Sequence, residues 1–150
     1  MYGTGYQTYQ QTNIITADPK RLVLICYEGA IHFLKTAKEE YLNREYEAKG
    51  KAIQNALAVL SELREALDFE KGGEIARNLD HLYSFMIRYI LKADRERDLK
   101  VFDQVVAMLK ELKSAWEEVF RSQPLAKNTL ISPEEQGLFP FESANSVRVG

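Results

Sequence analysis

The chain has 150 residues, 45% of them apolar and 28% charged, with a formal net charge of −2. That length suffices for one domain with a real core, and the near-neutral balance argues against a broad electrostatic surface for nucleic acid, leaving only a local patch open. A single cysteine, Cys26, cannot form an internal disulfide, and no apolar run is long enough to insert into a membrane, so a reduced, cytosolic protein is the simplest reading.

Residues 1–18 form a separate segment, rich in Tyr, Gln, Thr and Gly and without Lys or Arg. It has no apolar stretch of the kind a secretory signal needs. Tyr2, Tyr6 and Tyr9 are spaced by four and three, so one helical turn would place their rings on one face, and Ile14 and Ile15 follow. Two readings stand: a disordered leader, or a lid that docks on the rest of the chain and yields to a partner. The lid is preferred, with Tyr6, Tyr9 and Ile14 as its contacts, because tyrosine suits a surface that is sometimes covered and sometimes wet.

Helical spacing then begins. Asp18-Pro19 is a good start signal, since aspartate caps free N–H groups and proline fits the first helical position. The seam Val23-Tyr27-Ala30-Leu34-Ala37-Tyr41 predicts a helix over about 19–41. Asn43 to Tyr46 reads as a turn, with Asn43 a candidate cap. Ile53-Ala56-Leu60-Leu63-Leu67 predicts a second helix over about 47–69, closed by Gly72-Gly73. Ile75-Leu79-Leu82-Met86-Ile90-Ala93 predicts a third over 74–93. After the charged link from Asp94 to Arg97, Asp98 should cap a fourth over 98–120, with the seam Phe102-Val105-Leu109-Leu112-Trp116-Val119. Four helices with short links predict an all-α, antiparallel up-down four-helix bundle. Residues 121–150 change character: Pro124, Pro133 and Pro140 interrupt any helix, and Leu138-Phe139-Pro140-Phe141 is an apolar island. This reads as an irregular tail, flexible or docked on the bundle or on a partner.

No catalytic or metal-ligand cluster appears. Helical projection places His32 and His81 on outer faces, away from any inward Glu-x-x-His pair, so both read as solvated. Cys26 has no activating histidine at a helical neighbour position and reads as a buried structural thiol. Gly72-Gly73 lacks the phosphate-loop pattern. No enzyme and no cofactor is expected.

The helices carry more apolar surface than one core stripe needs. Each helix of an antiparallel bundle requires a stripe of roughly 100–140°. The first helix exceeds that with Leu22, Leu24, Ile31 and Phe33, while Ile25 points away from all of them. Leu57 flanks the second seam. Phe85 and Tyr89 widen one edge of the third, Ile87 and Leu91 the other; Val101-Met108-Ala115 forms a second line on the fourth. A wide core, coverage by the terminal segments, or a partner lying in a groove could each take up this excess. The groove candidates are Leu57, Ile87, Leu91, Val101 and Met108, with Ile25 weaker. The alternative is a structural bundle that buries the same surface in a homodimer.

These residues resemble a known family, the flagellar secretion chaperones (FliS family). The leader Tyr6-Gln7-Thr8-Tyr9-Gln10, with Ile14 and then Thr16-Ala17-Asp18-Pro19, is similar to the family's tyrosine-containing entry segment. Leu22 to Ala37 resembles its first helix, and Leu60 to Met86, with Leu67-Asp68, Gly72-Gly73 and Leu82-Tyr83, its most recognisable stretch; Leu112 to Trp116 resembles the closing helix. Glu28 stands where the family more often has aspartate, and Cys26 where an aliphatic residue is common. The resemblance covers about residues 2–120 and leaves the tail unexplained. It implies a bacterial cytosolic bundle that binds the C-terminal segment of flagellin. It also implies that binding prevents premature polymerisation and delivers the subunit to the export gate of the flagellar type III apparatus, and that the N-terminal segment can cover part of the binding surface.

Overall fold

The computed structural model describes residues 19–122. They form four helices, α1 (Pro19–Leu42), α2 (Tyr46–Glu65), α3 (Phe69–Glu96) and α4 (Leu99–Ser122). Helix α1 packs against α2 and α4, and α3 packs against the same two, so the chain runs up, down, up and down around a square. The described residues contain no strand.

Each helix boundary has a local cause. Past α1, Arg44 takes the left-handed conformation (φ 61°). The Glu45 N–H then reaches the Glu40 carbonyl at 2.9 Å and the Arg44 N–H reaches Tyr41 at 3.1 Å, the paired bonds of a Schellman stop. Arg97 (φ 58°) closes α3 in the same way, with Asp98 N–H on Ala93 and Arg97 N–H on Asp94. Both stops thus use arginine where glycine is usual. The Asn43 side chain is not needed as a cap.

The other end of the bundle differs from the expectation. Helix α2 stops at Glu65 rather than near Phe69, and Asp68 caps the next helix by accepting from the Glu70 and Lys71 N–H groups at 3.0 Å each. One turn later Gly73 leaves helical geometry (φ 51°, ψ −126°), so α3 is broken there before it continues. Only glycine adopts that conformation without strain. Gly73 therefore kinks α3 inside its first turns and does not terminate α2.

The core contains the expected seams with one rotation. In α3 the inward residues are Ala76, Leu79, Tyr83, Met86, Ile90 and Ala93, whereas Ile75 is 54% exposed and Leu82 only half-buried. The stripe starting at Ala76 keeps the three-four spacing, and it brings in a tyrosine that its polar tip would otherwise argue against. In α4, Val101 and Val106 join Phe102, Val105, Leu109 and Trp116 inside, while Val119 is exposed.

Tyr83 is admitted because it finds a partner. Its hydroxyl lies 2.6 Å from that of Tyr27 on the diagonally opposite helix, and Trp116 Nε1 donates to the Tyr27 hydroxyl at 2.9 Å. Buried polar groups persist when bonded in this way. Burial pushes both tyrosine pKa values above the usual range; for Tyr27 the bonds to Tyr83 and Trp116 partly offset it.

At the end where α1 meets α2, Asp94 of α3 gathers three elements. It accepts from Lys49 Nζ at 2.8 Å, while the Tyr41 hydroxyl donates to its backbone carbonyl at 2.9 Å. The same Lys49 ammonium stands 4.8 Å from the Tyr41 ring centre, within cation–π reach.

Candidate binding surfaces

The ion pairs show which helix faces are closed by charge and which are apolar. Between α1 and α4 run Lys38–Asp103 at 2.7 Å and Lys113–Glu28 at 3.3 Å. Between α2 and α3 the pairs Arg64–Asp80 and Lys49–Asp94 mark the two ends of a shared face. Antiparallel helices of equal rise keep these levels in register, so Leu57 of α2 stands level with Ile87 of α3 between the two pairs, and Leu91 lies one turn further on. Leu57 and Ile87 are half-buried against the core, and Leu91 is 45% exposed.

A second apolar face lies between α3 and α4. The Tyr89 hydroxyl donates to Gln104 Oε1 at 2.8 Å and fixes the register there. One turn down, Phe85 (42% exposed) stands level with Met108, which is half-buried against the core. Phe85 also lies against Tyr89, ring centres 5.0 Å apart. Further along the same edge come Leu82 and Leu112, both partly buried, and then the exposed pair Ile75 and Val119.

Six of the nine expected surface positions are therefore described, and four of them lie on these faces. Leu57, Ile87 and Leu91 share the α2–α3 face, and Met108 belongs to the α3–α4 face. Val101 is a correction: at 6% exposure it belongs to the core, because four residues separate it from Val105 and the two share α4's inward side. Ile25 is likewise 6% exposed, although it is not part of the main core cluster, so its side chain is not open surface either. Tyr6, Tyr9 and Ile14, like the expected Asp18 cap, lie outside the described residues. Phe85 and Tyr89, which widen one edge of α3 without being among the candidates, line the α3–α4 face, and Ile75 and Val119, seam positions by spacing, are exposed.

Two further expectations are adjusted. His81 is exposed, but His32 is partly buried with its ring edge-on to Phe33, centres 5.5 Å apart. Cys26 is partly buried against the core rather than fully enclosed. Among the described residues no group of three His, Cys, Asp or Glu side chains could hold a metal ion, and no helix is long and apolar enough to cross a membrane. The chemistry these surfaces offer is non-covalent: flat apolar strips edged by charge, suited to an amphipathic segment.

Comparison with known proteins points the same way. Residues 2–123 match the model of the family described as flagellar protein FliS. The flagellar secretion chaperone FliSB of Pseudomonas aeruginosa is 37% identical over 115 residues, 74% of this chain and 91% of that protein. The flagellar secretion chaperone FliS of Vibrio cholerae is 33% identical over 117 residues (75% and 86%), and that of Salmonella typhimurium 32% over 121 (77% and 90%).

Proposed function

We infer the function from one premise: the chain belongs to the flagellar protein FliS family. The protein is proposed to be a flagellar secretion chaperone without enzymatic activity. It binds the C-terminal segment of flagellin in the bacterial cytosol, prevents premature polymerisation and presents the subunit to the export gate. The observation that carries this reading is the family match over residues 2–123, with large apolar side chains left open along α3. A filament subunit's terminal helices have apolar faces meant for neighbouring subunits. Leu57, Ile87 and Leu91 on one side of α3, and Phe85 and Met108 on the other, offer a substitute neighbour. An adaptable Met and Leu surface tolerates such a guest.

Calorimetric titration with the last ~40–60 residues of a flagellin, the reach of two or three helices and their linkers, tests this directly. Saturable one-to-one binding is expected. Leu91→Glu combined with Met108→Glu should abolish it while helicity by circular dichroism survives. A tight homodimer by sedimentation, with no affinity for the flagellin segment, would establish the alternative instead. Tyr6, Tyr9 and Ile14 are proposed to form the lid. Deletion of residues 1–15 should raise both flagellin affinity and exposed-apolar dye binding; no change in either removes the lid from the account.

A further inference from the structure

The outward face of α3 is basic in a way the whole-chain charge conceals. Arg77, His81, Ser84, Arg88, Lys92 and Arg95 follow one another at steps of three and four, a single ridge along the helix. All but Ser84 are exposed, and Arg88 donates to the Ser84 hydroxyl at 2.6 Å. Between residues 77 and 95 the carboxylates of α3 are Asp80 and Asp94, and both are already engaged by Arg64 and Lys49 of α2. Among the described residues, no carboxylate forms an ion pair with Arg77, Arg88, Lys92 or Arg95. The ridge is flanked by exposed Leu91 on one side and exposed Phe85 on the other. It therefore has the composition of a docking strip for a segment that is acidic and apolar at once.

The chain itself contains such a segment. Residues 128–147 include Glu134, Glu135 and Glu142 and no Lys or Arg, with Leu138, Phe139 and Phe141 between the carboxylates. This stretch lies beyond residue 123, where the family match ends. The distances agree. From Arg77 to Arg95 the helix rises about 27 Å, and an extended chain from Glu134 to Glu142 spans about the same. Helix α4 ends at Ser122, at the same end of the bundle where α3 begins. The residues from there to Glu134 can stretch to about 40 Å, ample to cross to α3. Chain direction then sets Glu134 and Glu135 toward Arg77, and Glu142 toward Arg88, Lys92 and Arg95.

We propose that residues 134–142 dock along the outer face of α3 in the same molecule. The carboxylates pair with the cationic ridge, and the Leu-Phe-Pro-Phe island rests against Leu91 or Phe85. Tethering makes this contact intramolecular, so modest affinity is enough to keep it occupied.

Zero-length carbodiimide cross-linking of the full chain at low protein concentration tests the contact, because Lys92 is the ridge amine such a reagent can join to a glutamate. Peptide mapping of the monomer band should find Lys92 joined to Glu142 at low salt. Yield should fall at least several-fold at 0.5 M salt, since exposed charge pairs are then screened. The variant Arg77→Glu/Arg88→Glu/Arg95→Glu keeps Lys92 and should lose the product. A second variant avoids any question of folding: Leu138→Ser/Phe139→Ser/Phe141→Ser lies beyond the bundle, keeps every carboxylate, and should also lower the yield. Cross-links found only in a dimer band would mean that the ridge takes the tail of a second copy. Lys92 not joined to Glu142, or a yield indifferent to salt and to both variants, overturns the proposal.

Discussion

The hydroxyls of Tyr27 and Tyr83 lie 2.6 Å apart across the diagonal of the bundle, and they do not share their bonds equally. Trp116 donates to Tyr27, so the three groups bring three donor hydrogens to two bonds. One phenolic proton is left over. Tyr83→Phe removes one bond and still leaves a single phenolic proton over, now that of Tyr27, and should cost about 1 kcal/mol. Tyr27→Phe removes both bonds, taking this acceptor from the indole N–H and the partner from the Tyr83 hydroxyl, and should cost about 2–3 kcal/mol. Urea unfolding of the two variants compares them; equal losses would contradict the asymmetry.

The same pair makes the bundle sensitive to alkali. Burial raises both tyrosine pKa values above the ordinary 10.0. In the unfolded chain these phenols ionise from about pH 10, while in the folded chain they keep their protons. The stability they provide is complete below that pH. It falls as pH rises further, by about 1.4 kcal/mol per unit for each tyrosine until its folded pKa is reached. Denaturant midpoints measured from pH 9 to 11.5 should decline, and Tyr83→Phe should make the decline shallower.

Two glycines should respond oppositely to alanine. At Gly73 a new Cβ would meet nothing within 4 Å, yet φ is 51° with ψ −126°, so the penalty is conformational and about 1–3 kcal/mol. Gly50 also has open space but lies in the regular interior of α2, where alanine should add about 0.5–1 kcal/mol. Thermal melts of the two variants should shift in opposite directions.

Ion pairs of similar length should differ in worth. Lys49–Asp94 has side chains only 16% and 29% exposed and includes the Tyr41 hydroxyl, whereas Lys38–Asp103 is 35% and 59% exposed. Asp94→Ala should cost about 1–2 kcal/mol and Asp103→Ala under about 0.5 kcal/mol. Melts in low and high salt separate them, because the exposed pair is the one that salt screens.

Most of the bundle is legible from spacing, since a three-four apolar repeat is a direct consequence of helical geometry. What escapes it is instructive. Tyr83 displaces Leu82 from the inward position because its hydroxyl is satisfied by Tyr27 on a helix far away in sequence. No local pattern reveals that bond. The Schellman stops at Arg44 and Arg97 carry no glycine signal and so read as plain charged links. For the binding surface, projection puts Ile87 and Leu91 on one edge of α3 and Phe85 and Tyr89 on the other. It cannot tell how deeply a neighbouring helix covers each edge, which is why Val101 reads as surface and Ile75 as core.

The cations of α3 form one row on a protein whose total charge is −2. The acidic segment proposed to dock there, residues 134–142, is drawn toward that row before it touches. Ionic strength then governs how often arrival succeeds, while the greasy flanks at Leu91 and Phe85 govern how long the visitor stays. Speed of capture and duration of hold are thus set by different side chains of a single helix.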